Sequence, residues 1–252
     1  MKTTIIVAAH KPYWMPEDSV YLPVHVGAAG KESLGFQRDD EGENISAKNP
    51  NYCELTGLYW AWKNLDADYV GLAHYRRYFS KGFGKDKKAR ILTQADYEKK
   101  LSAADVLLPK PRHYWIESNY SHYAHAHHAA DLDTTRKILE ERYPQYLPAW
   151  EKNMKKTSGH RFNMFVMKKE LLDRYCAWLF DILFELEQRL DISSYNKNDS
   201  RVFGFVSERL LDVWIDANGI KYKNVPYVFL EDQNWLVKGG RFLKRKFTGE
   251  KK

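Results

Sequence analysis

Six short apolar runs, rich in β-branched and small residues, punctuate this chain: Thr3–Ala9, Tyr21–Ala28, Asp68–Ala73, Asp105–Leu108, Phe162–Met167 and Tyr222–Leu230. Each is too short for a core helix and is stopped by Gly, Pro or a polar cluster, the signature of a buried strand. The stretches between them carry helical periodicity. Pro50, after Asn49, opens one helix that runs to about Asn64, and Glu117–His128 and Asp133–Arg142 are two more. A long amphipathic helix starts at Lys168, with Leu171, Tyr175, Trp178, Leu179, Ile182, Leu183, Leu186 and Leu190 on its apolar stripe. A last one runs from Asp199 or Ser200 to about Asn218 and is closed by Gly219.

Strands that alternate with helices predict an α/β fold, a mainly parallel sheet flanked by helices. Ligands of such sheets bind beyond the carboxyl ends of the strands. The polar residues that follow strands are therefore the site candidates: His10 and Lys11, His74 to Arg77, and Pro109 to Arg112.

With 252 residues the chain fits one large domain, expected over 1–237, and a basic tail, 238–252, that holds six of the seven net positive charges. A nucleic-acid-binding surface spreads its charge over a folded face, and this distribution does not. No apolar run approaches the ~18 residues of a membrane span. The N-terminal run reads as a first strand rather than a signal peptide, so a cytoplasmic location is expected. Cys53 and Cys176 lie in apolar, helix-like patterns with no metal-ligand spacing, as small core residues do.

The blocks IIVAAHK, ELTGLYWAWKN, GLAHYRRYF, FNMFVMKKELLDRYCAWLFDIL and RVFGFVSERLLDVW span nearly the whole chain. Together they resemble a bacterial family long labelled only as a domain of unknown function, found among capsular and exopolysaccharide synthesis proteins and treated as small glycosyltransferases. The resemblance implies sugar transfer from a nucleotide donor on a GT-A-like nucleotide-binding sheet. The company such proteins keep points to a UDP-hexose, galactose in its pyranose or furanose form, and to a capsular, exopolysaccharide or O-antigen acceptor carried on a lipid.

A nucleotide-sugar donor leaves as a diphosphate, and its charge must be stabilised as the glycosidic bond breaks. Many GT-A enzymes use a divalent metal, manganese or magnesium, on an Asp-x-Asp motif after a strand. Here Asp66-Ala67-Asp68 precedes its strand and Asp131-Leu132-Asp133 opens a helix. The post-strand slot holds His74-Tyr75-Arg76-Arg77, and paired guanidinium groups bind phosphate bidentately. Metal-independent donor binding is the expectation; structural ion pairs are the alternative use of the arginines. His10 and Lys11 would meet base, ribose or phosphate, or else form a surface turn set by Pro12.

Glu208 is the first candidate for the carboxylate that takes the acceptor proton, and Asp199 the second. An intrahelical salt bridge to Arg201 or Arg209 is the alternative for Glu208. Arg201, Gly204 and Glu208 share a helix face, and Gly204, unfavourable in a helix by ~1 kcal/mol, marks a close approach. His128, His160, Asn163 and Arg201 are candidates for sugar or acceptor contact; for Asn163 a backbone-bonded core role weighs equally. The cluster His122, His125, His127 and His128 lacks a His-Glu-x-x-His pattern and reads as a polar helix face.

A rival reading is a non-catalytic module for nucleotide, nucleic acid or anionic polymer, resting on the pI of 9.1 and on 17 Tyr, 12 Phe and 8 Trp. The tail, with Phe242, Leu243 and Phe247 among its cations, would tether the protein peripherally to an anionic membrane face, or remain solvated.

Overall fold

The computed structural model describes residues 1–231; the basic tail 238–252 lies outside them. In chain order the elements are β1 (Thr3–Ala9), β2 (Tyr21–His25), β3 (Gln37–Arg38), α1 (Asn49–Tyr52), α2 (Leu55–Asn64), β4 (Tyr69–His74) and β5 (Arg77–Phe79). There follow α3 (Gln94–Leu101), β6 (Val106–Pro109), β7 (Arg112–His113), α4 (Asn119–Ala126), α5 (Ala129–Arg142) and α6 (Leu147–Lys155). Last come β8 (Ser158–Gly159), β9 (Phe165–Lys168), α7 (Lys169–Arg189), α8 (Val202–Ala217), β10 (Lys223–Val225) and β11 (Tyr227–Phe229).

The main sheet has the order β10-β6-β9-β4-β1-β2-β3. Its pairings β1–β2, β1–β4, β2–β3 and β6–β10 are parallel, while β9 runs antiparallel to both β4 and β6. This is the expected mainly parallel sheet flanked by helices.

The period of two in β1 and β4 sorts side chains onto two faces. Ile6, Ala8, Val70 and Leu72 pack into a large core with α2, α5, α6, α7 and α8. Ile5, Val7, Ala9 and Ala73 face a second core with Tyr78, Phe79, Tyr97 and Leu101. Both faces are covered, which is why these strands read as nearly continuous apolar runs. On α7, Leu172, Cys176, Leu179, Leu183 and Leu186 are buried at helical spacing. Each such large apolar side chain contributes about 1.5–3 kcal/mol by leaving water. Gly71 of β4 lets the faces close: a Cβ there would lie 2.5 Å from Ile5 Cδ1 and 3.0 Å from the Phe165 carbonyl oxygen.

Several boundaries differ from expectation. The helix predicted from Pro50 to Asn64 is two helices broken at Cys53, whose φ of 54° no helix accommodates. The expected strand Phe162–Met167 starts only at Phe165, because Phe162 and Asn163 form a left-handed turn with φ of 77° and 54°. Pro226 splits the last strand into β10 and β11. The helices α3 and α6, both rich in charge, have no counterpart in the predicted elements. Among the described residues no helix is long and apolar enough to cross a membrane.

Candidate active site

The parallel registers bring the carboxyl ends of β1, β2, β4, β6 and β10 to one edge of the sheet. The antiparallel β9 begins at this same edge, with Phe165 opposite Leu72. Three further segments therefore meet the loops after β1 and β4. They are the turn Phe162–Asn163, the break Cys53–Glu54 between α1 and α2, and the start of α8.

Tyr75 organises the first half of the site. Its buried ring lies edge-on to His10 (centroids 5.4 Å apart) and to Tyr13 (4.9 Å), and it carries the Arg76 guanidinium at 4.8 Å and the Lys11 ammonium at 5.8 Å. Burial lowers the His10 pKa, and Arg76, Lys11, Lys31 and Arg201 lower it further. His10 thus marks a point on which cations from three loops and Arg201, the residue before α8, converge. Arg76 is half exposed and pairs with Glu231 at 2.9 Å.

The second half is buried. The Arg77 guanidinium lies 3.7 Å from the Phe162 ring centroid and 4.7 Å from that of Phe229, its Nε buried without a hydrogen-bond partner. Burial brings its pKa down to about 10, against the opposing pull of Glu208 and Glu54. His74 donates from Nε2 to the Phe162 carbonyl at 2.5 Å. Burial, reinforced by Arg77, drives its pKa down to about 3, so the imidazole is neutral.

The left-handed Phe162–Asn163 turn costs about 1–2 kcal/mol per residue. Its surroundings compensate. Phe162 N–H donates to Glu208 Oε1 at 2.9 Å, and Asn163 Nδ2 donates to Glu54 Oε1 at 2.7 Å and to the Gly204 carbonyl at 3.1 Å. Ser207 Oγ donates to Asn163 Oδ1 at 2.8 Å. The strain thus holds the Phe162 ring against Arg77, and strain of this kind clusters at functional sites.

Two carboxylates face Arg77. Glu208 has one oxygen on Phe162 N–H and the other 3.1 Å from Arg209. Glu54 accepts from Asn163 through one oxygen and is also held by its own backbone N–H. Burial raises the Glu54 pKa, against Asn163, Arg201 and Arg77. Arg201 donates from Nε to Cys53 Sγ at 3.1 Å and lies over the Phe205 ring at 5.2 Å. The close approach expected at Gly204 is that of Cys53 and Tyr52, whose atoms would stand 3.3–3.5 Å from a Cβ there.

The structure thus gathers His10, Lys11, His74, Tyr75, Arg76, Arg77, Asn163, Arg201 and Glu208. The remaining sequence candidates lie in two neighbouring networks. Asp199 accepts from His127 Nδ1 at 2.9 Å and from Asn196 and Asn198, while His128 stacks on Tyr195 at 4.0 Å. His160 is buried, held by Asp212 at 2.5 Å and Asn224 at 2.9 Å. The histidine cluster splits between carboxylates: His122 and His125 both bond Glu117 through Nδ1 (2.8 and 2.7 Å), while His127 and His128 turn to Asp199. Sequence reasoning missed Glu54, Cys53, Phe162 and Phe229, which no local signal singles out.

Asp68 accepts from the Lys2 backbone at the opposite edge, and Asp131 from the hydroxyls of Tyr123 and Tyr195. Among the described residues no group of three or more His, Cys, Asp or Glu side chains is placed to hold a metal.

A search of curated proteins gives no match to this chain. Among solved structures it is similar to the apo structure of WbbM, a bifunctional glycosyltransferase, with a TM-score of 0.86 and 33% identity over 92% of this chain. The match covers 46% of the WbbM chain, so this protein spans about half of that one. The profile of a family described as a domain of unknown function, DUF4422, matches residues 4–219, which include every residue of the cation-lined site up to Glu208. The chain belongs to the DUF4422 family.

Proposed function

We propose that this protein is a glycosyltransferase that moves a hexose from a UDP-sugar to a saccharide acceptor. One observation carries the reading: Lys11, Arg77 and Arg201 converge on the carboxyl edge of the sheet, and none of them forms an ion pair among the described residues. Unpaired cations at a strand-end cleft fit an anionic ligand, and guanidinium groups fit a diphosphate. The likeness to a bifunctional glycosyltransferase supports the same chemistry.

In this reading Arg77 and Arg201 bind the diphosphate, with Lys11 and Arg76 at its outer side and His10 against the nucleoside. An acceptor hydroxyl oxygen bonds to the anomeric carbon, the bond from that carbon to the diphosphate oxygen breaks, and UDP departs. The charge that develops on UDP falls on preorganised cations, where it needs no reorganisation of water. We assign the hydroxyl proton to Glu54, a desolvated carboxylate that feels both Arg77 and Arg201, and the positioning of the Phe162 turn to Glu208. Asp199 lies behind Phe205, on whose ring His127 stacks at 4.3 Å, and orients that wall of the site. The acceptor side runs along His128, with His160 and Asn163 as supports.

Galactose as the hexose, a lipid-linked polysaccharide precursor as the acceptor, and peripheral contact of segment 238–252 with an anionic membrane belong to the same proposal. Turnover, measured as UDP released from UDP-galactose, is expected to survive EDTA, because fixed cations supply the countercharge. Loss of activity with EDTA and its return with manganese would overturn the metal-free assignment.

A further inference from the structure

The loop after β7 holds a large aromatic side chain out into solvent by design of its backbone. Trp115 is 82% exposed and Ile116 61%. Trp115 has φ of 63°, and Ile116 N–H donates to the Tyr114 carbonyl at 2.7 Å, a γ-turn of the rare, strained kind. The loop is pinned at both ends: Tyr114 N–H bonds the Thr157 carbonyl and Asn119 N–H the Lys156 carbonyl, each at 2.8 Å. Glu117 is clasped by His122 and His125, and Tyr114 stacks on His122 at 3.8 Å. A pinned loop that spends backbone strain to expose a tryptophan needs a reason outside its own packing.

Its position supplies one. The loop and the short β7 before it follow the carboxyl end of β6, on the edge where the cation site lies. Tyr114 OH accepts from Arg161 Nε at 2.9 Å, and Arg161 directly precedes Phe162, the ring beneath Arg77. Trp115 is thus one residue from a contact chain that runs through Tyr114, Arg161 and Phe162 to Arg77. A pyranose presents C–H faces to a flat aromatic ring and hydroxyls to polar neighbours. The exposed His113 ring lies 5.7 Å from the indole, and the exposed Arg112 lies over the Tyr114 ring at 5.7 Å. A lipid surface would want a broader apolar tip than Trp115 and Ile116, which stand between the polar Arg112 and His113 on one side and Glu117 and Ser118 on the other.

We propose that Trp115 is a stacking platform for a sugar ring of the acceptor saccharide. The proposal rests on the glycosyltransferase reading only for calling the saccharide an acceptor. The test is an NMR titration of the ¹⁵N-labelled full chain, in which Trp115→Phe identifies the Trp115 indole N–H signal. The probes are the methyl α- and β-pyranosides of galactose, glucose and mannose, then UDP, then vesicles of phosphatidylglycerol and phosphatidylcholine. At least one glycoside is expected to shift the Trp115 signal saturably. Trp115→Ala should weaken that glycoside at least tenfold and leave the UDP titration unchanged, while Trp115→Tyr restores most of the binding. If no glycoside moves the signal, or only vesicles do, the platform assignment is wrong. If a glycoside binds at Trp115 but UDP does not bind the chain, the platform stands and the UDP-sugar reading falls.

Discussion

Arg77→Ala is expected to weaken UDP binding by one to two orders of magnitude. Two charge-assisted hydrogen bonds are removed, and each is worth about 1.5–3 kcal/mol before the neighbouring cations readjust. The guanidinium is already desolvated between Phe162 and Phe229, so the protein has met the cost of stripping its water before the ligand arrives. That is preorganisation, and it is why the buried Arg77 should matter more than the half-exposed Arg76, which keeps Glu231 as a partner. Arg77→Lys should recover only part of the loss, because an ammonium neither stacks between two rings nor binds bidentately. Calorimetry with UDP measures both variants. UDP affinity in Arg77→Ala equal to the parent's would show that the guanidinium is a structural cation.

Glu54→Gln is expected to lower kcat by about 10²–10⁴, the range that a positioned proton acceptor supplies, and to leave UDP affinity within a few-fold of the parent. Gln keeps an oxygen for Asn163 Nδ2, so the Phe162–Asn163 turn survives. A pH series separates a base from a scaffold. Burial raises the Glu54 pKa above that of the unfolded chain, so its protonated form is favoured in the fold. Its contribution to stability is fully present below the ordinary carboxyl range and lost as pH rises through the raised value. The Gln variant lacks this loss and should therefore gain stability relative to the parent as pH rises, while its turnover falls away. A variant that is both inactive and less stable at neutral pH would make Glu54 structural.

The sheet was legible because both its faces are buried. Runs such as Ile5–Ala9 are apolar on either side of the pleat, a pattern that survives any tertiary context. The candidate site was legible where it follows a strand: His10, Lys11 and His74–Arg77 come to the carboxyl edge of the sheet by topology alone. What could not be read was decided by distant partners. FNMFVM carries a strand pattern, yet Glu208 and His74 clamp its first residue and Asn163 bonds Glu54 and Gly204, which together hold a conformation that local propensity opposes. Glu54 gave no signal because its partner Asn163 lies 109 residues further along the chain. The helices α3 and α6 are largely polar, Tyr97, Leu101, Trp150 and Met154 being among the few residues they bury, too few to set a period.

The cation cluster has one decisive comparison. The intact chain is titrated calorimetrically, at physiological salt, with UDP, with inorganic phosphate and with single-stranded oligonucleotides. A nucleoside-diphosphate site predicts saturable one-to-one binding of UDP, at least tenfold tighter than phosphate, that weakens in Arg77→Ala. Oligonucleotide binding should be weak and should vanish as salt is raised, as contacts made only to phosphates do. Tight, salt-resistant binding of the oligonucleotides with no measurable heat from UDP would contradict the account and make the rival binding-module reading the right one.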